Sequence, residues 1–206
     1  MKDSNTGFLI GITGNSGCGQ TTAAKYVSEE CSGVCSLDLV GHRLLNRQYV
    51  ISELSDAFSR PEFNHLDGES LRAELRKMVL NDTKAYAILN SVLHPRMIRW
   101  AVYSARILRK LKGIWVLEGA LICELGIHEL LDYLIVVQDS EQRCISRVAA
   151  RDNISLKDAA KRWEVQLPIE NKLTMADEVV NNSGELDSMK QQILTIFQGI
   201  NKNLLN

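Results

Sequence analysis

The 206-residue chain has few of the residues that mark fibrous, low-complexity or disulfide-rich proteins. Its 3 prolines and 13 glycines are too few for a collagen-like or proline-rich chain. Its 5 cysteines cannot all pair and form no C-x-x-C, which argues against a disulfide framework and a zinc ribbon. No apolar run is long enough for a membrane-spanning helix or a signal peptide, so the sequence predicts a cytoplasmic protein without a membrane partner.

Charge of one sign is not in excess either. With 24 basic and 25 acidic residues, the net charge of -1 gives no electrostatic reason to expect a nucleic-acid partner. The 45% hydrophobic and 24% charged fractions match an ordinary globular protein. The length predicts one domain, or one domain that carries a large insertion.

Short apolar runs alternate with segments of helical spacing, which is typical of an α/β protein with a parallel sheet. Strands are predicted at residues 8–12, 34–37, 114–117, 133–137 and, weakly, 179–180. The first helix is predicted at residues 21–30, and a closing helix at 186–197. Between them, a helix pair at 140–152 and 155–166 opens at Ser140 and Ser155, which are predicted N-caps.

No strand signal occurs between residues 39 and 112. Helical spacing occurs there at 51–58, 71–80, 85–93 and 97–111, and Pro95 is predicted to separate the last two segments. The sequence therefore predicts a core of residues 1–38, 113–140 and 176–206. This core carries a helical insertion at about 39–112 and a lid at about 141–175.

A glycine-rich loop joins the first predicted strand to the first predicted helix and fits G-x-x-x-x-G-x-[ST]. Its residues are Gly14, Asn15, Ser16, Gly17, Cys18, Gly19, Gln20 and Thr21. Small residues let several backbone N–H groups converge on a phosphate, and a threonine hydroxyl in the last position can bind Mg²⁺. The loop lacks the usual lysine, which is replaced by Gln20. A tight turn that only packs a strand against a helix is the alternative.

Two carboxylates follow predicted strands, Asp38 after the second and Glu118 after the third. The carboxyl ends of parallel strands face the ligand crevice of an open sheet, so both are predicted to face the glycine-rich loop. A kinase uses one carboxylate to accept the proton of the attacking hydroxyl and others near Mg²⁺. The structural alternative for either residue is that it caps a helix. Arg147 and Arg151 share one helix face and could hold phosphates, or could belong to a solvated charged face.

Taken together, these segments resemble the dephospho-coenzyme A kinase family over nearly the whole chain. Residues 11–22, which extend the loop through Thr22, resemble the family's G-x-T-G-G-I-G-S-G-K-S-T. The other similar segments are 37–42 (A-D-x-x-A-[HR]), 68–75 (D-G-x-[IL]-x-R-x-x-L), 93–98 (L-H-P-x-I), 118–124 (D-x-P-L-L-F-E), 147–152 (R-x-x-x-R-D) and 182–184 (N-x-G). Gln166, Lys172 and Asp177 fall in the family's order as well.

The resemblance implies a three-layer P-loop kinase fold: a five-stranded parallel sheet, a helical substrate-binding insertion and an arginine-bearing lid. It implies ATP-dependent phosphorylation of the ribose 3′-hydroxyl of dephospho-coenzyme A, with ATP as co-substrate, Mg²⁺ as cofactor, and a monomer or weak homo-oligomer. Asp38 falls on the catalytic base, and Arg147 and Arg151 on the lid arginines. Thr21 is implied as the Mg²⁺ ligand, with Glu118 acting through water. The implied acceptor-site residues are His42, Arg72, His94, Pro95, Glu118 and Leu121.

Three departures from the family pattern matter: Gln20 for lysine, Ala120 for proline and Cys144 for glutamine. The first keeps open the alternative of a catalytically weak relative that binds nucleotide or coenzyme A in a regulatory role. A further alternative is a kinase of the same fold that acts on another nucleoside or nucleotide.

Overall fold

The structure is a computed structural model that describes residues 6–80, 82–184 and 186–205. The prediction that no leader segment is present rested partly on residues 1–5, which lie outside the described residues. The described residues fall into two compact units, one within Met1–Leu37 and Val102–Asn206 and the other within Asp38–Ala101.

The first unit is built on a five-stranded parallel sheet, as predicted. Its strands are β1 (Phe8–Thr13), β2 (Gly33–Ser36), β3 (Ile114–Glu118), β4 (Tyr133–Gln138) and β5 (Glu178–Asn181), in the order β2-β3-β1-β4-β5. β1 is central and pairs with β3 from Phe8–Ile114 to Ile12–Glu118. β1 and β4 are continuous apolar runs because they lie inside the sheet, where both of their faces are covered.

Five α-helices and a 3₁₀ helix (Ile127–Leu130) lie among the described residues of this unit. The α-helices are α1 (Gln20–Tyr26), α6 (Glu141–Asp152), α7 (Leu156–Glu164), α8 (Ile169–Leu173) and α9 (Leu186–Leu205). α9 packs Met189, Ile193 and Phe197, one helical turn apart, into the core beside Ala23 of α1 and Val27, which follows α1. This apolar contact holds the start of α1, and the loop before it, against the end of β1.

The second unit is helical, and no strand lies within its described residues. It contains α2 (Leu37–Leu44), α3 (Gln48–Phe58), a 3₁₀ helix (Pro61–His65), α4 (Gly68–Val79) and α5 (Thr83–Leu108), although α2 begins and α5 ends in the first unit. Leu54, Phe63, Leu71 and Leu75 are buried here.

Pro95 does not separate two helices, so that prediction is wrong. It lies inside the continuous helix α5. Proline removes one backbone hydrogen bond of a helix, but Val92 and Leu93 before it and Met97 and Ala101 after it are all buried. Burial on both sides of Pro95 therefore outweighs the local preference for a break.

Other predicted boundaries shift by a few residues. Leu37 and Asp38 begin a helix instead of ending a strand, α1 ends at Tyr26, and α9 continues to Leu205. Ser155 caps α7 through its side chain, whereas Ser140 occupies the N-cap of α6 without a side-chain hydrogen bond. The short helix α8 was not predicted. Among the described residues, no helix is both long and apolar enough to cross a membrane.

Candidate active site

The glycine-rich loop lies between the end of β1 and the start of α1, as predicted. Gly17 has a φ of 86° and Gly19 a φ of 108°, in the left-handed region that favours glycine. A Cβ at Gly17 would stand 2.3 Å from the Cys144 carbonyl oxygen, and one at Gly19 would stand 2.6 Å from Asn182 Nδ2. Glycine is therefore required at both positions by backbone conformation and by close packing.

Neighbouring elements hold the outer side of the loop through polar contacts. The Ser16 N–H donates to Gln166 Oε1 at 2.9 Å, Arg147 Nη1 donates to the Gly17 carbonyl at 3.0 Å, and Asn182 Nδ2 donates to the Cys18 carbonyl at 2.9 Å. Three side chains from separate elements thus fix the loop before any ligand binds.

Thr21 and Glu118, the predicted metal-site pair, are in direct contact. The Thr21 hydroxyl donates to Glu118 Oε2 at 3.0 Å, and Glu118 is 4% exposed. Glu118 ends β3, whose last residues pair with the end of β1, and the Gly119 carbonyl accepts a hydrogen bond from the Thr13 hydroxyl. The sheet register therefore places this carboxylate at the loop. Leu121 follows in the same segment and is half-buried.

Gln20 is the first residue of α1 and is 6% exposed. The position that carries lysine in such loops is therefore occupied by a buried, uncharged amide. Thr22 follows in α1 and is half-buried. The loop has no lysine of its own to place beside a phosphate.

The two arginines that are predicted to belong to a lid have different partners. Arg147 Nη2 donates to Asp139 Oδ2 at 2.7 Å, so its guanidinium bridges Asp139 and the loop carbonyl. Arg151 Nε donates to the adjacent Asp152 at 2.8 Å, and Arg162 also pairs with Asp152. The pKa of Asp152 is lowered chiefly by the hydrogen bond from Arg151. The structure brings Arg147 to the loop and places Arg151 in an ion pair within the helix pair α6–α7.

The remaining predicted residues belong to the helical unit. Asp38 and His42 lie on α2 four residues apart, Asp38 in the first turn and both exposed. Arg72 lies on α4, and His94 and Pro95 on α5, where His94 is half-buried.

Two close approaches join these helices within the unit. A Cβ at Gly41 of α2 would stand 3.7 Å from Met97 of α5, and one at Gly68 of α4 would overlap the Asn46 side chain. Helices α2 and α5 therefore pack together, and α4 begins beside the segment that joins α2 to α3.

Sequence reasoning missed three residues that support the loop. Asp139 follows β4 directly and holds Arg147 and Arg143, so the rule that selected Asp38 and Glu118 would also have selected Asp139. From the sequence, Gln166 and Asn182 are recognisable only by their place in the order of the family's segments. Their contacts join positions 150 and 164 residues apart in the chain, and no local signal marks such contacts.

A central parallel sheet, a strand–glycine loop–helix junction and a carboxylate at the end of the neighbouring strand define a P-loop kinase. The sequence profile of the dephospho-CoA kinase family matches residues 8–188. The chain belongs to this family, and it is therefore a kinase of coenzyme A biosynthesis.

Individual relatives agree with the family match. The chain is 30% identical to the dephospho-CoA kinase of Carboxydothermus hydrogenoformans over 198 residues, which cover 92% of this chain and 93% of that relative. It is 29% identical to that of Latilactobacillus sakei, with coverage of 94% and 96%. The crystallised dephospho-CoA kinase from Campylobacter jejuni superposes with a TM-score of 0.68 at 27% identity, covering 96% of this chain and 98% of that one.

Proposed function

We propose that this chain transfers the γ-phosphoryl group of ATP to the ribose 3′-hydroxyl of dephospho-coenzyme A, giving coenzyme A and ADP. The observation that carries the proposal is the contact between Thr21 and Glu118 at the end of an intact glycine-rich loop. A threonine hydroxyl and a carboxylate in this position could hold Mg²⁺ beside bound phosphates. The family match, over residues 8–188, includes both residues. A cytoplasmic location remains a prediction.

The loop is suited to bind the phosphates of ATP through its backbone. Its N–H groups can converge on one anion because Gly14, Gly17 and Gly19 carry no side chains. The amide of Asn15 is 1% exposed, and neither its Nδ2 nor its Oδ1 has a partner among the described residues. Buried polar groups are normally satisfied, so this amide is a group that a polar ligand can satisfy.

Thr21 and Glu118 fit Mg²⁺, which takes oxygen ligands and keeps several of its waters. Thr21 Oγ1 would bind the ion directly, with Glu118 acting through a water. When bound, Mg²⁺ would neutralise charge that develops on the phosphates.

Asp38 is proposed as the group that accepts the proton of the 3′-hydroxyl, because it is an exposed carboxylate at the start of α2, in the segment that resembles the family's A-D-x-x-A-[HR]. Arg147 and Arg151 are proposed to stabilise charge on the transferring phosphoryl group. His42, Arg72, His94, Pro95 and Leu121 are proposed to hold the acceptor.

The test follows ADP release by the purified protein with Mg-ATP and dephospho-coenzyme A, and the mass of the acceptor product. We expect ADP and a product heavier by one phosphate in equal amounts. Reactions without acceptor and with adenosine as acceptor are the controls. ADP release that does not depend on dephospho-coenzyme A, or that is faster with adenosine, would contradict the proposal. Binding of coenzyme A without turnover would favour the regulatory alternative.

A further inference from the structure

Two cysteines that are far apart in the sequence meet at the glycine-rich loop. Cys18 Sγ of the loop lies 2.7 Å from Cys144 Sγ of α6, and both residues are 0% exposed. Neither of the two is part of a disulfide. Two thiols in contact, one in the phosphate loop and one in the first lid helix, form a pair that no part of the proposed mechanism uses.

The backbone around the two thiols is also in close contact. The Cys144 carbonyl lies where a Cβ of Gly17 would be, and Arg147, one turn further along α6, donates to the Gly17 carbonyl. Asn182 holds the Cys18 carbonyl from the other side. The Arg147 contact therefore holds the loop and α6 next to each other independently of the sulfurs, which keeps the two thiols within reach of each other.

The two thiols are chemically unequal. The pKa of Cys18 is lowered, chiefly by its hydrogen bond with the Cys144 thiol, although burial acts in the opposite direction. The pKa of Cys144 is raised by that same hydrogen bond and by burial. Because the thiolate is the reactive form, Cys18 is the nucleophile of the pair and Cys144 is the thiol that resolves the product.

We propose that Cys18 and Cys144 are an intramolecular redox site, which hydrogen peroxide oxidises to a disulfide that joins the phosphate loop to α6 and slows the kinase. The Cys18 thiolate attacks one peroxide oxygen and the O–O bond breaks, giving a sulfenic acid and a hydroxide that takes up the proton lost by Cys18 as the first water. The Cys144 sulfur then attacks the sulfenic sulfur, the S–O bond breaks, and the sulfenic hydroxyl leaves with the Cys144 thiol proton as the second water. Two thiols and one peroxide thus give one disulfide and two waters.

The effect on activity rests on the proposed function and follows from the position of Cys18. Its neighbours Gly19 and Gln20 lead directly into α1, whose first N–H groups are proposed to face the phosphates. A covalent bond fixes this loop to a helix of the lid, and lid motion governs closure and product release in many kinases. Both the placement of the phosphates and the movement of α6 are therefore restricted in the oxidised protein.

The test uses three full-length proteins: wild type, Cys144→Ser, and Cys31→Ser/Cys35→Ser, which removes the two most accessible other thiols. Each is treated with hydrogen peroxide, excess peroxide is removed, and the disulfide is mapped by peptide mass spectrometry before and after dithiothreitol. Wild type and the double variant should both contain the Cys18–Cys144 disulfide. Both should lose about tenfold or more in kcat/KM and recover with dithiothreitol. Cys144→Ser should match wild type when reduced, should form no Cys18–Cys144 disulfide, and should lose less kcat/KM in a form that dithiothreitol reverses, since only a sulfenic acid can form at Cys18.

Mapping is independent of turnover, so failure of this inference is distinguishable from failure of the proposed function. If the reduced protein is inert but the disulfide forms, the redox site stands and the proposed function fails. If the reduced protein is active and the disulfide never forms, or forms without change in kcat/KM, the redox proposal is overturned. Equal reversible inactivation of Cys144→Ser would also overturn it.

Discussion

Gln20 places a neutral amide where a P-loop kinase has its lysine. A lysine in this position brings a full charge to the β- and γ-phosphates, whereas an amide offers two donors and no charge. At about 4 Å and an effective dielectric constant of about 20, that charge is worth on the order of 4 kcal/mol. Only the part that grows in the transition state changes kcat, and about 1.36 kcal/mol corresponds to a tenfold change in rate.

We expect Gln20→Lys to raise kcat at least about tenfold with little change in affinity for dephospho-coenzyme A. Because residue 20 is 6% exposed, a lysine there must desolvate its charge when no phosphate is present. The melting temperature without nucleotide should therefore fall, and the increase on adding Mg-ATP should be larger than in wild type. Steady-state kinetics and thermal melts measure the two effects.

Gln20→Met is the matched control, since it keeps the length of the side chain but removes its donors. An unchanged kcat in Gln20→Lys, together with brisk wild-type turnover, would mean that another cation already serves the phosphates. Arg147 would then be the first candidate, because it already contacts the loop.

The proposed role of Asp38 as the base can be tested separately from the contribution of its charge to the stability of α2. If it accepts the hydroxyl proton, Asp38→Asn should lower kcat about 10²–10⁴-fold, while the loss of one first-turn charge should cost only about 0.3–1 kcal/mol of stability. Kinetics with Mg-ATP and dephospho-coenzyme A give the first quantity, and denaturant unfolding gives the second.

Asp187→Asn is a close control for Asp38→Asn. Asp187 is also the second residue of its helix and is also exposed, but it lies in α9. A kcat for Asp38→Asn within threefold of the Asp187→Asn value would remove Asp38 from the role of base and leave only its helix-terminal effect.

At the scale of the elements, α6 supplies both the loop contact and the proposed lid charge. Replacing Arg147 by Ala should lower kcat/KM about 10²–10³-fold, as when one donor to transition-state charge is lost, with a much smaller effect on the melting temperature. Arg143→Ala is the control, because Arg143 shares Asp139 but donates to the Ser183 carbonyl instead of the loop. Equal losses of activity in the two variants would indicate that α6 contributes only structure.

A buried ion pair ties α8 to the segment after β3. Lys172 is 0% exposed, and its Nζ donates to the Ala120 carbonyl at 2.7 Å and pairs with Glu124 Oε1 at 2.7 Å. Removing one member of such a pair leaves an uncompensated charge, so Lys172→Met should reduce the free energy of unfolding by about 3–5 kcal/mol.

Urea unfolding measures this loss. The double variant Lys172→Met/Glu124→Gln should recover a substantial part of it, because the remaining charge is removed as well. An exposed ion pair contributes about 1 kcal/mol or less. If the free energy of unfolding of Lys172→Met lies within about 1 kcal/mol of the wild-type value, Lys172 contributes no more than such a pair.

The elements with strong local signals were predictable, and those that depend on distant contacts were not. Short stretches of sequence were enough to predict the apolar strands β1, β3 and β4 and the glycine-rich loop that is proposed to bind phosphate. The continuity of α5 through Pro95 depends on burial of residues on both sides of it, which the proline signal cannot report. The support of the loop by Gln166, Asn182 and Cys144 depends on chain segments that only the folded sheet brings together.

At the scale of the whole molecule, the strand order predicts which backbone amides of the sheet are best protected from hydrogen exchange. β1 has a neighbour on each side, whereas β2 and β5 are edge strands with one partner each. Native-state hydrogen exchange should therefore give the largest opening free energies for amides of β1, and smaller ones for β2 and β5. Amides of β2 that exchange as slowly as those of β1 would contradict this order.

The same strand order has a consequence during synthesis of the chain. β1 ends at Thr13, but its two partners begin only at Ile114 and Tyr133. Translation proceeds at about 5–20 residues per second, so β1 waits on the order of 10 s for its first partner. Meanwhile the contiguous helical segment from residue 38 to residue 101 is completed. An apolar strand that must remain unpaired this long is the part of the nascent protein most exposed to wrong partners, and the place where a ribosome-associated chaperone has most to protect.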